Sequence, residues 1–184
     1  MSALCLVGVE DGSFLAFKPG QSTLLCAVCM VGDRVEWVRL GRVTVDGRDV
    51  TGVLLGMLGG TRFDVLILGG VSFAGFNVVD PHRIRGGLGV PVIVYSGEKP
   101  NNASTQAALR AHFPDWEERW APIERLGDVY RIVTRAGSPP VFFEKVGCTR
   151  EWAEDVLRSS ASLTRAPEPV RVAGVIARGL TRSA

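Results

Sequence analysis

The sequence predicts a mixed α/β fold, one sheet covered by helices on both faces, and three observations predict it. Continuous apolar runs at 4–9 (LCLVGV), 65–68 (VLIL) and 90–95 (VPVIVY) read as strands buried on both faces. Two early apolar runs are joined by Gly32-Asp33, a two-residue hairpin signature, so that pair must be antiparallel. The later runs alternate with helical patterns, which calls for crossover helices and parallel strands. A length of 184 residues, with no internal repeat and no linker, suits a single domain spanning 1–184.

The elements follow in order. Strands are expected at Leu4 to Val9, Leu24 to Val31 and Val35 to Leu40, the last continuing through Arg42 to Val45. Asp49 is placed to cap a helix over Val50 to Leu58, with Val53, Leu54, Met57 and Leu58 on one face. A central strand at Asp64 to Leu68 runs into Gly69-Gly70 and the apolar loop VSFAGFN. Asp80 caps a short helix with Pro81 in its first turn, and Val90 to Tyr95 is the next strand. Asn102 or Ser104 caps a helix through Ala111, and a short one at Trp116 to Trp120 is bracketed by Pro114 and Pro122. Strands at Val129 to Thr134 and Val141 to Glu144, a helix capped by Thr149, and a last helix from Pro167 to Leu180 complete the chain. The longest loops are expected at Glu10 to Thr23 and Gly97 to Asn102.

Composition narrows the function classes. The chain is 46% hydrophobic and 22% charged, hence globular, and its net charge of +2 gives no global attraction to nucleic acid. Residues 145–184 carry seven Lys/Arg against four acids, a weak basic bias. Cys26 and Cys29 stand three apart on a strand, on opposite faces, and cannot readily chelate one metal; the four cysteines read as buried small hydrophobes. The N-terminus lacks a basic region ahead of Glu10-Asp11, and no run approaches a membrane span, so a cytoplasmic protein is expected. A mean hydropathy of +0.19 leaves a homo-oligomer interface open.

Chemistry in such folds lies past the carboxyl ends of the strands. Acids fall at element ends at Glu10/Asp11, Asp46/Asp49 and Asp80, and two or three carboxylates converging there would bind Mg²⁺ through oxygen. The plainer reading of any one of them is a cap or turn former. Lys99, after the strand ending at Tyr95, is a candidate phosphate contact. Phe73, Phe76 and Asn77 are candidates for a base pocket, with a hydrophobic plug over the sheet as the alternative. Arg171 is a candidate for phosphate, with an ion pair to Glu168 as the plainer choice. His82 and His112 have no Ser or Cys partner nearby.

The segments LVGVEDGSF (6–14), VDGRDVT (45–51), GVSFAGFNVVD (70–80), GVPVIV with EKP (89–100) and PEPVRVAGVIA (167–177) together resemble an archaeal family of unknown function, domain of unknown function ninety-nine. That family looks like a distant relative of endonuclease V. The resemblance implies a ribonuclease H-like fold and a Mg²⁺ site for nucleic-acid cleavage near deaminated purines. It places the first-strand acid at Glu10 and the acid before a helix at Asp49, as metal ligands, and the lysine after the next strand at Lys99. The central-strand acid falls on Gly69 and the histidine of the last helix on Gly174, so both are absent. The expectation is a protein that binds nucleic acid, DNA or RNA, with cleavage weak or lost. Two alternatives stand beside it: an active Mg²⁺-dependent endonuclease with Asp11, Asp46 or Asp80 replacing the lost ligand, and a partner-binding scaffold.

Overall fold

The computed structural model describes residues 4–15 and 20–181; residues 16–19 of the long loop expected at Glu10 to Thr23 lie outside it. The strands are β1 (Cys5–Asp11), β2 (Ser22–Val31), β3 (Arg34–Thr44), β4 (Val65–Leu68), β5 (Ser72–Phe73), β6 (Asn77–Val78), β7 (Val92–Ser96), β8 (Tyr130–Ile132) and β9 (Val141–Val146). The helices are α1 (Val50–Leu58), α2 (Pro81–Leu88), α3 (Asn102–His112), α4 (Trp116–Glu124), α5 (Arg150–Ser160) and α6 (Glu168–Thr181).

Seven strands form one mixed sheet in the order β3-β2-β1-β4-β7-β9-β8. β1, β4 and β7 are parallel, so Asp11, Leu68 and Ser96 end at one edge. The β2–β3 hairpin turns at Gly32, whose φ of 58° is the left-handed value the turn needs. β5 and β6 form a separate two-stranded ribbon, turning at Ala74 (φ 48°) and Gly75 (φ 84°), where an unstructured loop was expected.

Strand parity decides what each face holds. Val7 and Val9 of β1 enter a core with Leu66, Leu68, Val92 and Val94 under α1 and α2. Leu6 enters the opposite core, with Ile67, Ile93 and Phe143 under α5 and the start of α6. Gly8 shares that second face, and α6 lies so close that a Cβ there would sit 2.5 Å from the Pro169 carbonyl oxygen. Only glycine admits this approach of helix to strand.

Four local expectations change. Cys5 and Cys29 form a disulfide between β1 and β2 (Cα–Cα 6.4 Å), because both lie on the α1 side of the sheet, Cys29 opposite Val7 and so two residues along from Cys5; Cys26 faces α6 and stays free. Asp49 makes no side-chain cap to α1, while Asn101, rather than Asn102 or Ser104, caps α3 by accepting from Ser104 N at 3.1 Å. Helix α4 runs through Pro122, which costs it the one i→i−4 bond that the Glu118 carbonyl would have accepted. No helix among the described residues is long and apolar enough to cross a membrane.

Candidate nucleic-acid interface

The carboxyl edge of β1, β4 and β7 carries two chemically different sides. On the α6 side stands Glu10. Parity with Gly8 turns its side chain towards α6, and backbone pairing (Gly69 N to Val9 O, 2.9 Å) brings the tip of β4 beside it. A Cβ on Gly69 would lie 2.6 Å from Glu10 Cδ, so the Glu10 carboxylate occupies the space a side chain at 69 would need. Burial, reinforced by the charge of Asp11, pushes the Glu10 carboxyl up to about 7; the Arg178 guanidinium and the Asp11 N–H act against the rise. Arg178, near the end of α6, folds back over Gly174, its Nη2 2.5 Å from where a Cβ would be. Two glycines thus have their side-chain space filled by charged groups from elsewhere: a carboxylate at Gly69 and a guanidinium at Gly174. Burial also raises the Tyr95 hydroxyl, with Glu10 adding to the rise and Arg165 opposing it.

On the α1 side the acids are engaged in holding the β5–β6 turn. Asp11 accepts from Ala74 N, and Asp46 Oδ1 accepts from Phe76 N at 2.9 Å. Asp49 accepts from Asn77 Nδ2 (2.6 Å) and Thr44 Oγ1 (2.7 Å), while Asn77 Oδ1 accepts from Val50 N (3.2 Å). Burial raises the Asp49 carboxyl, but these donors outweigh it and leave it below its ordinary value. Arg119, itself buried, donates from Nη1 to the carbonyls of Asp46, Gly47 and Phe76 at 2.8–3.0 Å. A buried guanidinium with three carbonyl partners and Asp115 at 3.0 Å is a structural clamp.

The structure therefore redistributes the expected site residues. Glu10 and Asp49, expected as a metal-binding pair, share no partner: Glu10 faces α6 and Asp49 sits at the head of α1 in the other layer. Among the described residues no group of three or more His, Cys, Asp or Glu is placed to hold a metal ion. Lys99 is exposed on the turn after β7, at the Glu10 edge. Phe73 and Asn77 are buried, Phe73 in the apolar core and Asn77 in the Asp49 network, so neither offers a stacking surface. Phe76 is half-buried and packs edge-on to Phe113, centroids 5.4 Å apart. Arg171 pairs with Glu168 (2.8 Å) beside Met30, Asp33 and Val35, at the opposite edge of the sheet from Glu10.

Sequence reasoning missed Arg178 and Glu144. Glu144 lies opposite Val94 in β9, is 5% exposed, and is pushed up to about 7 by burial. It lines a cavity of about 120 Å³ at the carboxyl edge with Gly70, Tyr95, Ser96, Asn101 and Thr105. A lone acid inside the apolar strand VFFEKV was the available signal for it.

The family described as endonuclease dU matches residues 3–181. The chain belongs to the endonuclease dU family. A UPF0215 protein of Pyrococcus furiosus is 31% identical over 182 residues, covering 96% of this chain and 92% of that relative. One from Thermococcus kodakarensis is 35% identical over 178 residues, covering 94% and 89%. A protein of unknown function from Archaeoglobus fulgidus superposes with a TM-score of 0.84 at 25% identity, over 96% of this chain and 98% of that one. Endonuclease V of Ciona intestinalis, in complex with a 24-mer DNA containing an inosine followed by a ribo-adenosine, superposes with a TM-score of 0.61 at 13% identity, covering 98% and 86%. The endonuclease dU chain thus has the endonuclease V-like fold expected of it.

Proposed function

We propose that this chain is a DNA endonuclease that engages a strand across the carboxyl edge of the sheet and cuts beside a deoxyuridine. The observation that carries this reading is the Glu10 carboxylate seated in the side-chain space of Gly69. An acid on a longer arm from β1 stands where an acid on β4 would, and Arg178 fills the side-chain space of Gly174. The family description supplies the substrate class.

Glu10, titrating near 7, is poised to take a proton from an attacking water. Arg178 provides positive charge at the same point, and Lys99 an exposed cation for a flanking phosphate. Glu10 is the one acid offered there among the described residues, so a Mg²⁺ would be held mainly by phosphate oxygens and waters, with Glu10 accepting from one of those waters rather than binding the ion itself. An ion held there supplies polarisation of the phosphoryl oxygen and a more acidic water. The Glu144 cavity suits an unstacked base. An ionised carboxylate accepts an imino N–H, which uracil presents at N3 and cytosine does not, and a buried acceptor penalises the base that leaves it unpaired.

The test is cleavage of an oligonucleotide with one deoxyuridine, with Mg²⁺ or Mn²⁺, by wild type and Glu10→Gln. Product from wild type alone supports the reading; equal product from both overturns it. The second reading, binding without cleavage, is favoured by the engagement of Asp11, Asp46 and Asp49 in the β5–β6 turn. It requires salt-dependent binding with no product.

A further inference from the structure

Strand β3 is the end strand of the sheet, 11 residues long, and among the described residues no strand pairs with its outer side. Natural sheets blunt such edges with lysines, prolines or a covering segment. Here the middle of the strand presents Val38 and Leu40, 41% and 48% exposed. Both face the α6 side, since they pair with Val28 and Cys26, which pack on α6; α6 covers β1 and β2 but stops short of β3. Val35, opposite Met30, extends the same apolar stripe. Glu36, the extra residue of the bulge beside Cys29 and Met30, and Arg42 flank Val38 and Leu40 on that side.

We propose that β3 pairs antiparallel with β3 of a second copy of this chain, about a two-fold axis at Arg39, joining two seven-stranded sheets into one. The sequence RVEWVRLGRVT is self-complementary in this register. Val38 meets Leu40 of the second copy, and Glu36, which already accepts from Arg34 Nε at 2.7 Å, meets Arg42, each twice by symmetry. Moving the axis to Val38 sets Leu40 against Glu36. Moving it to Trp37 sets Val38 against Glu36. The two Arg39 side chains at the axis lie on the other face, where each turns towards its own α1, donating to the Met57 carbonyl and lying 5.5 Å over the Trp37 ring. Their mutual repulsion is thereby weakened. Leu40 stands two strands from Glu10 in the same cross-strand row, through Cys26, but the pairing does not depend on the proposed activity.

The solution mass of the full chain, by light scattering and sedimentation at micromolar concentration, tests this. Wild type is expected at twice 19.8 kDa. Leu40→Lys, at an exposed position, should give a monomer with an unchanged circular-dichroism spectrum. Glu36→Arg or Arg42→Glu alone places like charges opposite one another twice and should weaken the dimer about tenfold or more. The double swap should restore it. A monomeric wild type, a dimer that survives Leu40→Lys, or a double swap as weak as the single ones overturns the proposal.

Discussion

The two sides of the carboxyl edge contain the same kind of residue and use it in opposite ways. On the α1 side, Asp11, Asp46 and Asp49 are acceptors for the backbone and amide donors of residues 74–77, and the low-lying Asp49 carboxyl records how fully its charge is met. On the α6 side, Glu10 accepts from its neighbour's N–H (3.2 Å), shares a side-chain hydrogen bond with Asp11, whose carboxyl burial also raises, and lies near Arg178, yet burial holds it near 7. Counting acids at strand ends does not locate a reactive site. A carboxylate whose hydrogen bonds are satisfied locally is part of the scaffold, and one left buried and under-served is available to a ligand.

Exchanging charge for neutrality should separate the sides most sharply. Glu10→Gln is expected to lower cleavage by at least about a hundredfold while leaving the melting temperature unchanged or higher; parallel turnover and thermal-melt measurements check both halves. Asn77→Ala should do the reverse in stability. It strands the Thr44 carbonyl and the Val50 N–H and takes one donor from Asp49, with an expected loss of about 3 kcal/mol in urea unfolding. Gly69→Ala pushes a methyl into the Glu10 carboxylate, which must swing away. A loss of about 1–3 kcal/mol is expected, together with reduced cleavage that adding back Mn²⁺ does not restore.

The pH dependence should be gentler. Glu10 and Glu144 titrate at about 7 in the folded chain against an ordinary 4.5, so the folded state holds more protons between those values. Their contribution to stability is full below about pH 4.5 and is lost as the pH rises towards 7. Melting curves from pH 4.5 to 8 should therefore show a smaller decline for Glu144→Gln than for wild type. The smallest effect is in recognition. Raising the pH from 6 to 8 ionises Glu144 and should increase the preference for deoxyuridine over deoxycytidine in binding, a trend Glu144→Gln should abolish. A preference that falls with pH would exclude Glu144 as the reader.

Much of this architecture was legible in the chain itself. The apolar run at 65–68, the Gly32-Asp33 turn and the caps at Asp80 and Thr149 form as read, and the strand expected at 90–95 forms at Val92–Ser96, because each depends on neighbours within a few residues. The acid at Glu10 and the glycine at 69 were legible as a pair, and so was the choice of Glu168 as the partner of Arg171. The Cys5–Cys29 bridge was not, since it depends on the register of β1 against β2. Nor was the burial of Phe73 and Asn77, because the loop carrying them folds into a ribbon clamped from Asp11, Asp46, Asp49 and Arg119, residues scattered over more than a hundred positions.

By itself the sequence determined the order along the chain of the seven strands of the main sheet and of the helices, and the family, since hydrophobic periodicity and local turn chemistry act over short distances. Only the tertiary structure decided which acid remains available at the carboxyl edge. Whether a carboxylate meets a donor, a guanidinium or an empty side-chain space depends on strand parity and on contacts from α6 and the β5–β6 turn, distant in sequence from Glu10.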